Sequence, residues 1–163
     1  MNLYKNKDGS LYNYLSKGCL YCKNGSKMVL FITGLCNHNC FYCPISNEKK
    51  NKDITYANEK IINNKKDILL VAKEMDAEGT GITGGEPLLK IKKVIQYIKL
   101  LKKNFGEKHH IHLYTSIPVS KNILLKFSKI KLDEIRIHPL YKYWKSKKYY
   151  NILKLYSNTI QNA

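Results

Sequence analysis

Four short apolar runs, each followed by a stretch of helical period, set the architecture open to this chain. Met28-Val29-Leu30-Phe31-Ile32-Thr33-Gly34 is a continuous run stopped by glycine, the pattern of a strand covered on both faces. Thr80 to Thr83, His110 to Thr115 and Leu132 to His138 read as three further strands, the last closed by Pro139. Between them, apolar residues recur at steps of three and four. The first such segment builds from Asn58 through Ile61, Ile62, Ile68, Leu69, Val71, Ala72 and Met75, the second runs from Leu88 to Asn104, and the third from Ser120 to Lys129. Tyr143 to Tyr156 reads as a fourth helix. The order βαβαβαβα predicts a parallel sheet with helices packed on it through right-handed crossovers.

Residues 1–27 show no sustained period and are punctuated by Gly9, Gly18 and Gly25, so an irregular N-terminal extension is expected before a core spanning 28–163. With 163 residues and 44% hydrophobic content, most of the chain is expected to fold as one compact unit. Lysine or asparagine interrupts every apolar run, which excludes a membrane-spanning helix, and the polar start has no signal-peptide core. A cytoplasmic location is the expectation. There, an odd set of five cysteines points to metal ligation or thiol chemistry ahead of disulfides. The net charge of +17 is compatible with a polyanionic partner such as RNA. Arg136 is the single arginine, however, and Lys, Asn, Ile and Tyr are all abundant, so coding bias accounts for part of the charge and solvated lysine faces are the default reading.

Chemistry concentrates just after the first strand, where α/β folds place their binding loops. Cys36, Cys40 and Cys43 lie on one short loop. Three thiolates there can reach three corners of an iron–sulfur cube and leave the fourth iron open to a small molecule's donor atoms. The alternative is zinc, with His38 or a cysteine of the Cys19/Cys22 pair completing the site. A second motif, Gly84-Gly85-Glu86-Pro87, follows the second strand. Glycines without Cβ let backbone approach a ligand closely, although two adjacent glycines alone would be an ordinary turn.

Taken together, Cys36, Cys40, Tyr42, Cys43 and Gly84 to Pro87 resemble the radical S-adenosylmethionine superfamily, whose cluster motif spaces three cysteines by three and then two residues with an aromatic before the last. The wider string, from Val29 to Gly34 through Tyr56 to Glu59 and His110 to Thr115, is similar to an uncharacterised archaeal subgroup. The resemblance implies a [4Fe–4S] cluster on the three cysteines and S-adenosylmethionine chelated to the open iron. One electron from a ferredoxin- or flavodoxin-type reductant then yields a 5′-deoxyadenosyl radical that abstracts hydrogen from substrate. It further implies that Gly84, Gly85, Glu86 and Pro87 meet the methionyl ammonium. Thr115 or Ser116 would meet its carboxylate or the ribose, Arg136 would pair with the carboxylate, and His138 would face substrate. The family core is a six-stranded partial (β/α) barrel, a partial TIM barrel. Only four units are expected before Ala163, so a truncated or split product or a second chain completing the barrel is expected, ahead of a reduced enzyme that tolerates a wide-open cleft. RNA modification, small-molecule biosynthesis and glycyl-radical activation are all open.

The competing class is a zinc-stabilised nucleic-acid-binding module without redox activity. Several smaller features carry bland readings beside functional ones. Arg136 and His138 are expected on one face of their strand, where a structural ion pair and a capped histidine are as good a reading as ligand contact. Alternation sends His110 and His112 to the same side with His109 in the preceding turn, and a structural role outweighs metal binding for them. Glu59 reads as a first-turn helix residue. Cys19-x-x-Cys22 provides half a zinc knuckle and needs ligands from elsewhere.

Overall fold

The computed structural model describes residues 16–138 without a break, together with 4–5, 11–12, 140, 146–147, 150–152 and 154–155. In chain order its elements begin with β1 (Tyr4–Lys5), β2 (Leu11–Tyr12), α1 (Lys17–Lys23), β3 (Lys27–Phe31), β4 (Tyr56–Ala57) and β5 (Lys60–Ile61). They continue with α2 (Lys65–Glu74), β6 (Gly79–Thr83), a 3-10 turn (Pro87–Lys90), α3 (Ile91–Phe105), β7 (His110–Thr115), α4 (Lys121–Lys129) and β8 (Glu134–Ile137). The six-stranded sheet runs β5-β4-β3-β6-β7-β8, with β3, β6, β7 and β8 parallel. This is the expected mixed α/β core with four parallel strands, an open partial barrel.

Hydrophobic periodicity explains one face of that sheet. Met28, Leu30, Ile32, Ile82, Ile111, Leu113 and Ile135 form one cluster with Ile68, Val71 and Ala72 of α2, Val94, Ile98 and Leu101 of α3, and Leu124 and Phe127 of α4. Alternation places the intervening residues on the opposite face. Register there aligns Lys27 with Gly79 and His110, Gly81 with His112, and His112 with Glu134. Helix α1 covers this inner face. A Cβ on its Gly18 would lie 2.6 Å from His112 Nδ1 and 2.9 Å from Glu134 Oε2.

Three expectations are corrected. The helix expected from Asn58 begins only at Lys65, because Asn58 takes a left-handed φ of 50° and turns an antiparallel hairpin, β4 with β5. The Asn58 side chain accepts from Val29 N at 2.9 Å while its own N–H donates to Val29 O at 2.7 Å, fixing the hairpin to β3. Helix α2 starts instead at a capping box in which Asn64 Oδ1 accepts from Lys66 N and Asp67 Oδ2 accepts from Asn64 N. Second, the extension is not wholly irregular: Ser16 caps α1, accepting from Cys19 N, so Cys19 and Cys22 sit on a helix and not on a knuckle loop. Third, the segment from Pro87 opens as a 3-10 turn, with Glu86 as its cap, before α3 proper. The helix expected over Tyr143 to Tyr156 falls largely outside the described residues, as does Pro139. No helix among the described residues is long and apolar enough to cross a membrane.

Candidate active site

The loop after β3 is anchored before it reaches the cysteines. Gly34 N donates to Lys52 O at 2.7 Å and Asn51 N to Gly34 O at 3.0 Å, so residues 34 and 51–52 close the base of the loop like a ladder rung. Only glycine fits at 34, since a Cβ would lie 1.7 Å from Lys49 O. Thr33 Oγ1 donates to Asp53 Oδ1 at 2.9 Å, and Asp53 in turn pairs with Lys90 at 2.6 Å. The bond from Lys90, followed by that from Thr33, holds the Asp53 carboxyl below its ordinary range.

Gly84 and Gly85 dock on this base. Gly85 N donates to Thr33 O at 2.7 Å and Glu86 N to Leu35 O at 2.8 Å. Gly84 adopts φ 151°, and a Cβ there would lie 2.6 Å from Thr33 O; one on Gly85 would lie 2.4 Å from Leu35 O. Their missing side chains therefore serve the contact between the two strand-end loops, a role beyond the ligand approach expected from sequence. Glu86, 1% exposed, ties in the next strand. Its Oε1 accepts from Thr115 Oγ1 at 2.8 Å and Leu88 N at 3.1 Å, and its Oε2 accepts from Ser116 N and Ser116 Oγ, each at 2.8 Å. The motif's carboxylate thus spends its hydrogen bonds on the ends of β6 and β7, fixing the rim.

These loops enclose a cavity of about 540 Å³ at the carboxyl ends of the strands. Cys36, Cys40 and Cys43 line it together with Tyr42, Gly84 to Pro87, Thr115, Ser116, His38 and His138. Tyr42 stacks on His138 with centroids 5.5 Å apart and planes 14° from parallel, its hydroxyl 3.5 Å from Nε2. Phe31, Lys49 and Thr83 also line the cavity and were not singled out from sequence. Phe31 and Thr83 end strands β3 and β6 in register, which is the signal that would have found them. Lys49 lies over the Tyr56 ring at 4.6 Å and pairs with Glu59 at 2.7 Å, so Glu59 acts from the hairpin turn and not from a helix. Arg136 is not among the cavity-lining residues. Its guanidinium donates to Glu134, Tyr114, Ser16 and Cys19 on the inner face beneath α1.

Burial pushes the Cys36 thiol above its ordinary pKa, and the neighbouring Glu86 carboxylate and the other two cysteines push the same way. A cation at this loop would favour the Cys36 thiolate and release its proton, as thiolate-ligated metal groups do.

Comparison with known proteins gives the same direction. The family model described as the radical SAM superfamily matches residues 30–139, a span holding the three cysteines and the glycine motif. A protein of Methanocaldococcus jannaschii, provisionally named a glycyl-radical enzyme activating enzyme, is 49% identical over 129 residues, covering 78% of this chain and 34% of the relative. The chain thus spans about a third of the length of the curated relative it matches. No solved structure matches. With the cysteine loop, the glycine rim and the parallel strands β6, β7 and β8 inside the matched span, the chain belongs to the radical SAM superfamily.

Proposed function

We propose that this chain carries the cluster- and S-adenosylmethionine-binding portion of a radical enzyme that abstracts hydrogen from a partner polypeptide. The observation that carries the reading is the convergence of Cys36, Cys40 and Cys43 with the Gly84–Pro87 rim in one cavity. A [4Fe–4S] cluster held there supplies the electron that splits the sulfur–carbon bond of S-adenosylmethionine. The protein's own part is placement. Gly84 and Gly85 keep the rim's backbone against the cavity, Thr115 and Ser116 offer hydroxyls oriented by Glu86, and the stacked Tyr42 and His138 form the wall beyond the cysteines. The name of the archaeal relative supports a glycyl-radical enzyme as substrate, with a one-electron reductant as second partner.

The test is anaerobic reconstitution with iron and sulfide followed by electron paramagnetic resonance of the reduced protein, with and without S-adenosylmethionine. A brown protein whose cluster signal changes when S-adenosylmethionine docks on the open iron is expected. A colourless protein holding one zinc, or a cluster signal indifferent to S-adenosylmethionine, contradicts the proposal.

A further inference from the structure

The inner face of the sheet holds a second cluster of donors, remote from the cysteine loop in sequence and absent from the cavity lining. His110, His112 and Glu134 are 4%, 1% and 5% exposed. One atom of each, His110 Nε2, His112 Nδ1 and Glu134 Oε2, is buried without a hydrogen-bond partner. Orphaned buried polar atoms are costly and rare, and here the three orphans converge, all within 4.8 Å of one another. His110 Nε2 and Glu134 Oε2 are 3.4 Å apart. Two donors each about 2.0–2.1 Å from a tetrahedral ion sit about 3.4 Å apart.

We propose that His110, His112 and Glu134 bind a divalent transition-metal ion of the zinc class, a structural centre that joins β7 to β8 beneath α1. The surroundings are arranged for it. Glu134 Oε1 is already engaged, accepting from Arg136 Nε and from Ser16 Oγ at 3.1 Å, which leaves Oε2 aimed at the histidines. Gly81 makes room for the His112 ring, since a Cβ there would lie 2.6 Å from Nε2. Gly18 lets α1 pack directly on the cluster, since a Cβ there would lie 2.6 Å from His112 Nδ1, 2.7 Å from Arg136 Nη2 and 2.9 Å from Glu134 Oε2. Two imidazoles and a carboxylate are a donor set suited to zinc, cobalt or iron(II).

On its other side the His110 ring is held by Lys27, whose Nζ lies 2.7 Å from Nδ1. The fourth position is open to water or to Cys19, whose thiol accepts from Arg136 at 3.3 Å.

Because the cysteine loop also binds metal, the test uses the full chain with Cys36, Cys40 and Cys43 replaced by alanine, stripped with a chelator and titrated with Co²⁺ and Zn²⁺. One ion per chain is expected, with a cobalt visible spectrum of tetrahedral or five-coordinate type and a Zn²⁺-dependent rise in melting temperature. Glu134→Gln, nearly isosteric, is expected to weaken binding at least 10-fold and to abolish the Zn²⁺-dependent rise above its own metal-free melting temperature, which the lost pairing with Arg136 sets below the parent's. His112→Ala removes the cobalt spectrum. A thiolate-to-cobalt band that disappears in both His112→Ala and Cys19→Ser also supports the site, with sulfur as its fourth ligand. Absence of stoichiometric binding overturns the proposal, as does binding undiminished in Glu134→Gln or a thiolate band that persists in His112→Ala.

Discussion

The two faces of the central sheet are built on opposite principles. The outer face, against α2, α3 and α4, is mainly aliphatic and closely packed, with Leu30, Ile82, Ile111 and Leu113 fully buried. The inner face, under α1, carries Lys27, His110, His112, Glu134 and Arg136, with glycines at 79 and 81 where neighbouring strands would ordinarily bring side chains. Dispersion and the hydrophobic effect hold the first together, whereas the second depends on satisfied polar partners and on space. Stability resides mainly in the outer face. The inner face and the strand ends beside it carry the chemistry.

Several measurements would break or sharpen that contrast. The largest effect is expected from Leu113→Ala on the outer face, which should cost about 2–5 kcal/mol in chemical denaturation while leaving metal binding by the inner-face donors intact. Next comes Gly81→Ala on the inner face. Its Cβ would press on the His112 ring, costing about 1–3 kcal/mol and displacing that ring. If Gly81→Ala proved neutral, the inner face would be loosely packed and the contrast would fail. At the rim, Glu86→Gln is isosteric but sets an NH2 against either Leu88 N at the Oε1 position or Ser116 N at the Oε2 position, so a loss of about 1.5 kcal/mol is expected, together with weaker S-adenosylmethionine binding by calorimetry.

A further effect is one of pH. His109, buried beneath the Phe105 ring with its Nε2 2.8 Å from Thr80 Oγ1, is lowered by burial to about 4 in the folded chain. As pH falls below about 6.5 the unfolded chain takes up this proton first, so folding stability is lost between about 6.5 and 4 and is fully present above that window. Urea midpoints across the window should show this slope, and His109→Gln should reduce it, the buried His110 and His112 keeping the remainder.

The outer face was legible in the sequence because its residues obey one period per element. The runs at Met28, Thr80, His110 and Leu132 gave four parallel strands within a few residues of their observed bounds. Ile61 and Ile62 misled, since they stand in helical phase with Ile68, yet the left-handed turn at Asn58 and the cap at Asn64 divide that stretch into hairpin and helix. Asparagine at both breaks was the available signal. The cysteine loop was legible from spacing alone. Its anchoring was not, because Gly34, Lys52 and Asp53 meet through backbone geometry that no local pattern encodes. The inner-face donors were half legible: alternation paired His110 with His112, but Glu134 joins them only through the register of β7 with β8. Gly79-x-Gly81 beside His110-x-His112 was the overlooked hint, small residues marking where large polar ones must fit.

The central claim, that Cys36, Cys40 and Cys43 hold a cluster open to S-adenosylmethionine, is tested most directly by product analysis. The reconstituted chain, reduced with dithionite under anaerobic conditions and given S-adenosylmethionine, should release 5′-deoxyadenosine, and Cys40→Ala should fall to background under the same conditions. Equal amounts from the wild-type chain and from Cys40→Ala, or none from a chain shown to carry its full cluster, would contradict the account.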